Sequence, residues 1–346
     1  MNKMQHTTLR HGGDLHTAIQ RFGGDASDWL DLSTGISPWS YPVTNIPNQV
    51  WRELPSETTS FRVSAAHYYQ CADAQLLATP GSQLAIRLLP TLIKPAHRVA
   101  IPTLGYQEHA LAWARAGHTL VRYNSIDALR SLTHTKQIDS AVVINPNNPT
   151  AEVAARQQLL ELAEQLPGLL LVDEAFADLD PSQSLCQHTS LSNIIVLRSI
   201  GKFFGLAGSR VGFLISDHPV TAELSALFSP WSVNGPALYV TECALSDRQW
   251  QTMQRTRIIQ QAQQLNDLLA LLISHDDSHI DLSSHGLFHT LLGSPESISA
   301  IHRALATMHI WTRLGDIDDQ GLLWMRFSLP GDHLNRLRNA LAEFHR

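Results

Sequence analysis

Two short runs, Ala141-Val142-Val143-Ile144 and Leu169-Leu170-Leu171-Val172, are apolar at every position. A strand with one wet face alternates apolar and polar residues, so a run without alternation fits a strand covered on both faces. Such strands belong to parallel sheets with helices packed on each side. The flanking sequence has the matching rhythm. Residues 98–101, 119–123, 193–199 and 211–216 are further β-rich runs, while 83–93, 107–116 and 152–165 carry helical spacing. The expected fold is α/β with a mostly parallel sheet at its centre.

Past Pro236 the pattern changes. Residues 237–273 read as long helix with a break near Ser246-Asp247, and Ile258, Ala262, Leu265, Leu269 and Leu272 fall on one apolar stripe. A strand over 286–292, a helix over 296–307, strands near 310–313 and 322–328, and a helix from Asp332 make a smaller α+β block. The first 50 residues are rich in Gly, Pro and Ser, with little periodicity, and read as an arm that must dock elsewhere. Grouping that arm with the last block gives two units, 46–240 and 1–45 together with 241–346.

Composition narrows the function. The 346 residues are 44% hydrophobic and 16% charged, which excludes a disordered chain. The balance of 25 Lys+Arg against 31 Asp+Glu, net −6, offers no basic face for nucleic acid. No apolar run approaches the ~18 residues of a membrane span, and residues 1–16 are polar and His-rich, unlike a secretory signal. Cys71, Cys186 and Cys243 are widely spaced, so no disulfide framework is expected and a reducing cytoplasm fits. His275 and His279, and His285 and His289, stand four apart, but the second pair enters a strand and no Cys lies nearby. No metal site is expected.

Four polar clusters lie just past strands or at helix starts, where α/β sheets gather ligands. Pro80-Gly81-Ser82-Gln83 precedes a helix, whose free N–H groups suit a phosphate. Asn145-Pro146-Asn147-Asn148-Pro149-Thr150 puts Asn side chains at a strand end. Asp173 closes an apolar strand, a costly place for a carboxylate without a cation. Ser199-Ile200-Gly201-Lys202 ends the next run, with Arg210 eight residues after the lysine. Gly201-Lys202 is not a P-loop, because Val196 stands where the first Gly is needed and Phe203 where Ser/Thr is needed. A lysine among strand-end Ser, Arg and Asp suits covalent chemistry at its amine instead.

In this order the clusters resemble the pyridoxal-phosphate enzymes of the aspartate-aminotransferase fold, fold type I. Other segments narrow the likeness to the threonine-phosphate decarboxylase branch of cobalamin biosynthesis, close to histidinol-phosphate aminotransferase. They are His11-Gly12-Gly13, residues 29–36, residues 102–109, Pro230-Trp231-Ser232-Val233-Asn234 and Val172-Asp173-Glu174-Ala175-Phe176. The resemblance spans essentially the whole chain. It implies a large domain with a mostly parallel seven-stranded sheet and a smaller α+β domain. It also implies pyridoxal 5'-phosphate as cofactor, a homodimer, and a small anionic amino-acid phosphate as substrate.

It further implies roles. Lys202 would carry the cofactor and move protons, and Asp173 would pair with the ring nitrogen. Asn148 would meet the ring hydroxyl, and Tyr106 would stack on the ring. Gly81, Ser82, Gln83, Ser199 and Arg210 would cradle the cofactor phosphate. Arg326 and the Gly35 N–H would hold the substrate carboxylate, beside Asn148, and Arg313 and His11 the substrate phosphate. The implied reaction turns L-threonine O-3-phosphate into (R)-1-aminopropan-2-ol O-phosphate and carbon dioxide. The alternatives are a histidinol-phosphate-type aminotransferase and a non-catalytic binding or regulatory protein on the same fold. Four departures from the pattern stand out: Ala151 where many relatives have Gly, Leu54-Pro55 where aminotransferases have Tyr-Pro, Phe176 where they usually have Tyr, and Pro330 where some decarboxylases have Arg. In a chain of net −6, attraction for an anionic substrate must be focused locally by Lys202, Arg210, Arg313 and Arg326.

Overall fold

The computed structural model describes residues 12–93, 97–274, 279–318 and 320–344. The doubly buried runs form the middle of a sheet. Strands β1 (Leu30–Leu32), β2 (Leu76–Thr79), β3 (Arg98–Pro102), β4 (Thr119–Tyr123), β5 (Ser140–Ile144) and β6 (Leu170–Asp173) come first. They are followed by β7 (Ile194–Ser199), β8 (Gly212–Ile215), β9 (Asp281–His285), β10 (Phe288–Gly293), β11 (Ile310–Ile317) and β12 (Leu323–Ser328). The larger sheet has seven strands in the order β2-β8-β7-β6-β5-β3-β4. Only the β2–β8 and β7–β8 pairs in it are antiparallel.

The apolar runs are explained by what each face meets. Val142, Leu171, Ile195 and Leu197 pack with Ile86 and Leu89 of the helix Ser82–Leu92 and Trp113 of the helix Glu108–Arg115. Their neighbours Val143, Leu170, Val172 and Val196 point the other way, into a core shared with Phe61 and Leu162. Alternate residues thus enter two different cores, and both must be apolar.

The smaller sheet is β1-β11-β12-β10-β9. Its first strand comes from the N-terminal segment, where β1 runs parallel to β11 with Leu30 opposite Ile310. The low periodicity of residues 1–50 therefore hides a helix, Leu15–Phe22, and a strand. A three-residue strand is too short to show a period. The strand expected over 286–292 is β10, paired with β9, which was not expected; nor was β2.

The long helical region is two helices, Gly235–Ser246 and Arg248–Ser274. The Gln251 amide donates to the carbonyls of Ala244 and Leu245, satisfying groups that the first helix leaves open where it ends. Three residues on, buried Gln254 reaches Ser37 Oγ at 2.7 Å, Trp39 O at 2.9 Å and Phe203 O at 3.0 Å. Gln261 pairs with both backbone groups of Gly331, at 2.7 and 2.8 Å. One helix face therefore ties the N-terminal segment, the loop after β7 and the last part of the chain together.

Ala151, one of the departures from the family pattern, sits at φ 61. A Cβ in that left-handed region costs about 1–2 kcal/mol, while a glycine loses about 0.5–1 kcal/mol of that through chain entropy. Ala151→Gly should therefore raise stability by up to about 1 kcal/mol, and Ala151→Val should lower it. The readout is the denaturant midpoint at unchanged slope.

Candidate active site

The parallel strands β5, β6 and β7 all point their carboxyl ends to one edge of the large sheet, as does β2. There Ile144, Asp173 and Leu197 lie side by side in register. A cleft of about 330 Å³ opens on this edge. It brings together Gly81, Ser82, Gln83, Tyr106 and Asn148, from the loops after β2, β3 and β5. Asp173, Ser199, Lys202 and Arg210 complete it from β6, β7 and the segment that follows. Arg313 and Arg326 come from the smaller sheet. His11 lies outside the described residues.

One end of the cleft is a cradle. Gly81 has φ +74 and precedes the helix Ser82–Leu92, whose first N–H groups have no partner within the helix. A Cβ on Gly81 would come within 2.7 Å of Arg210 Nη2, so only glycine admits the guanidinium there. Arg210 itself adopts φ 54 and donates to Ala207 O at 3.3 Å. Ser199 Oγ accepts the Gly201 N–H at 3.2 Å. A helix start, a hydroxyl and an arginine are a donor set suited to a phosphate.

Gln83 can serve the cradle through its backbone alone. Its side chain is committed elsewhere, accepting from Tyr106 OH at 2.7 Å and donating to Glu108 Oε2 at 2.8 Å. The backbone N–H is what Gln83 has left for the cradle.

At the other end Asp173, only 4% exposed, accepts the Ala175 N–H and meets His109 Nε2 at 2.8 Å. His109 is fully buried, and no hydrogen bond to its Nδ1 is present among the described residues. With a carboxylate facing Nε2, that nitrogen carries the proton and donates. Sequence reasoning gave His109 no role. Its signal was its place three residues after Tyr106, at the start of a helix beside a strand end.

Lys202 lies between these ends. Its Nζ donates to Thr34 O at 3.3 Å and sits 5.3 Å from the centre of the Phe176 ring. Burial pushes the amine down to about 8, helped by the charges of Arg326 and Arg210 and opposed by Asp173. A neutral amine is the nucleophilic and basic form.

The N-terminal segment closes the cleft. Arg326, 5% exposed, donates to Ser33 O at 2.6 Å and to Asn148 Oδ1. Its buried Nε has no partner among the described residues. Arg313 stands directly opposite it on the paired strand. Burial, then the charge of Arg313, push the Arg326 guanidinium down to about 9. The Gly35 N–H, expected to face a substrate, donates instead to Ser328 Oγ at 2.6 Å. What Gly35 contributes is room: at φ +67, a Cβ would lie 3.3 Å from Phe176 and 3.5 Å from Arg326.

Among the described residues no three His, Cys, Asp or Glu side chains are grouped to hold a metal ion. His285 and His289 face each other's strands in the β9–β10 hairpin, and His289 pairs with Ala262 O at 2.9 Å. His275 lies outside the described residues. No helix among them is long and apolar enough to cross a membrane.

Comparison with known proteins places the chain among relatives. The family described as "Aminotransferase class I and II" matches residues 51–344. A threonine-phosphate decarboxylase of Sinorhizobium sp. is 37% identical, covering 96% of this chain and 97% of its own. One from Pseudomonas aeruginosa is 42% identical, covering 75% and 78%. A histidinol-phosphate aminotransferase of Buchnera aphidicola is 26% identical over 68% of each chain. Among solved structures, histidinol-phosphate aminotransferase from Sinorhizobium meliloti in complex with pyridoxal-5'-phosphate superposes with TM-score 0.82 at 18% identity, covering 100% and 98%. L-threonine-O-3-phosphate decarboxylase from Porphyromonas gingivalis superposes with TM-score 0.72 at 16% identity, covering 90% and 98%. The chain belongs to the class I and II aminotransferase family, alongside relatives that carry the name threonine-phosphate decarboxylase.

Proposed function

We propose that the protein is a pyridoxal-phosphate-dependent decarboxylase acting on L-threonine O-3-phosphate. The products are (R)-1-aminopropan-2-ol O-phosphate and carbon dioxide, the former a precursor of the cobalamin side chain. The observation that carries this reading is Arg326, buried and charged near Lys202, with Arg313 opposite it on the paired strand. Like charges facing each other across strands are unfavourable, and a substrate with both a carboxylate and a phosphate offsets both. Histidinol phosphate brings a phosphate and no carboxylate in the same molecule. The names of the two relatives at 37% and 42% identity support the same choice.

The residues at the cleft fit the cofactor. Gly81, Ser82, Ser199 and Arg210 would hold its phosphate, with Gln83 helping through its backbone. Asp173, oriented by His109, would pair with the ring nitrogen; Tyr106 would lie against the ring and Asn148 beside its hydroxyl. Pyridoxal phosphate supplies the electron sink for the bond to the departing carboxylate. Arg326 and Arg313 fix the substrate by its two anionic ends, so that the carboxylate is the group presented for cleavage. Lys202 Nζ returns a proton to the carbon that loses carbon dioxide, a task suited to an amine that titrates at about 8. Residues 46–240 form the lobe that holds the cofactor, and 1–45 with 241–346 form the lobe that closes on the substrate.

The working form is a homodimer in a reducing cytoplasm. Trp51 and Leu54 are 65% and 67% exposed, and Trp231 is 59% exposed at φ 65. The helix Asn48–Arg52, which carries Trp51, packs on the start of Gly235–Ser246, the helix that follows Trp231 in the chain. Exposed apolar side chains of this size suit a second copy.

Three measurements test this reading. Enzyme, cofactor and threonine phosphate should release carbon dioxide with no keto acid added, and Lys202→Ala should lower the rate by about 10³-fold or more. A strict need for 2-oxoglutarate would overturn the decarboxylase in favour of an aminotransferase. Acylation of Lys202 in the cofactor-free protein should rise with pH through an inflection near 8. In Arg326→Met that inflection should move up, because a neighbouring positive charge no longer disfavours the protonated amine. Sedimentation should give a dimer for the wild type and a shift toward monomer for Trp51→Lys/Trp231→Lys.

A further inference from the structure

Glu108 is an anomaly in the cleft. It is 3% exposed, opens the helix Glu108–Arg115, and lies beside a cradle built for an anion. Its carboxylate accepts from Gln83 Nε2 at 2.8 Å, and from Arg87 at 3.2 Å through Nε and 3.4 Å through Nη2. Gln83 Oε1 in turn accepts from Tyr106 OH at 2.7 Å.

The direction of this chain follows from one residue. A carboxylate can only accept, so Gln83 must turn its NH₂ to Glu108 and its oxygen to Tyr106. Tyr106 must then donate. Burial, followed by the charges of Glu108 and Asp173, pushes the phenol well up, so it keeps the proton that it donates. An uncharged residue at 108 could donate or accept, and Gln83 could then present either end. The helix N-terminus and Arg87, which is half exposed, compensate the buried charge.

We propose that Glu108 is a positioning residue: by fixing the polarity of the Glu108–Gln83–Tyr106 chain, it locks the Tyr106 ring in the orientation that receives the cofactor ring. This rests on the reading that Tyr106 lies against pyridoxal phosphate. Hydrogen bonding at a phenol tip constrains the tilt of the ring face, which is the part that makes aromatic contact.

The test is a double-mutant cycle on the holoenzyme, read by cofactor affinity and by visible circular dichroism of the bound cofactor. Glu108→Gln keeps the shape and removes the directing charge. Glu108→Gln and Tyr106→Phe should each weaken pyridoxal-phosphate binding by about five- to tenfold, the worth of one hydrogen bond. The double variant should lose no more than either single, because both break one chain. Thermal unfolding of the cofactor-free forms checks that each variant folds. If the two losses multiply, or if Glu108→Gln binds as tightly as wild type with an unchanged dichroism band, Glu108 does not act through Tyr106. If wild type binds no pyridoxal phosphate, the proposed function itself fails, which is a separate outcome.

Discussion

The structure turns on a buried guanidinium that forms no ion pair among the described residues, with Asp31 acting on its charge only from farther off. Arg326 stands on β12 of the smaller sheet. It donates to Ser33 O of the N-terminal segment and to Asn148 Oδ1 at the edge of the larger sheet. Three parts of the chain therefore meet at one side chain. Both acceptors are neutral, so they satisfy hydrogen bonds and leave most of the charge uncompensated. Arg313, directly across the ladder, makes this worse. Such an arrangement lowers the stability of the free protein and raises its appetite for an anion. The same charge reaches Lys202 and keeps its amine nearer neutrality.

That tie needs backing, because a segment held by one arginine would swing. The long helix Arg248–Ser274 supplies it through amide side chains. Gln254 faces two backbone carbonyls, which can only accept, so its nitrogen must point at them. One of those carbonyls belongs to Phe203, next to Lys202, and the other to Trp39, in the segment that carries Thr34 and Gly35. Ser37 N donates to Lys202 O at 3.0 Å from the same segment. The lysine is thus held at its backbone by the element whose Thr34 carbonyl meets its amine.

How much of this was legible in the sequence depended on the range of the interaction. The strands β5 and β6 announced themselves because their two faces enter two cores, which leaves an unbroken apolar run. β1 and β2 are three and four residues long and hold no period. β9, Asp281–His285, is largely polar and exists through its pairing with β10. In the site, Lys202, Asp173 and Arg210 lie at strand ends or close behind them, where a residue's place in the alternation points to the cleft. His109 and Glu108 act through partners 64 and 25 positions away, and no local pattern registers such a pairing. Gly35 lies where the pattern put it, but its backbone N–H has a protein partner, Ser328 Oγ. Position is readable from spacing, but the direction of a hydrogen bond is settled by what else is near.

The charge balance can now be argued locally. The chain as a whole is net −6, yet the cleft and its rim hold Lys202, Arg210, Arg313 and Arg326 against Asp173 and Glu108. The two carboxylates do not cancel the cations, because each is already engaged: Asp173 with His109, Glu108 with Arg87 and Gln83. The cations are divided as well. Arg210 covers the cradle at one end, and Arg313 and Arg326 the entrance from the smaller sheet. An anion at one end leaves the other unmet, so tight occupancy calls for two anionic ligands held apart by the lysine. In a site shielded from water each such charge counts for more than on the surface. A molecule with a single anionic group at the Arg210 cradle would leave the buried charge of Arg326 without a counter-ion from the ligand, and that unfavourable remainder is what selects against it.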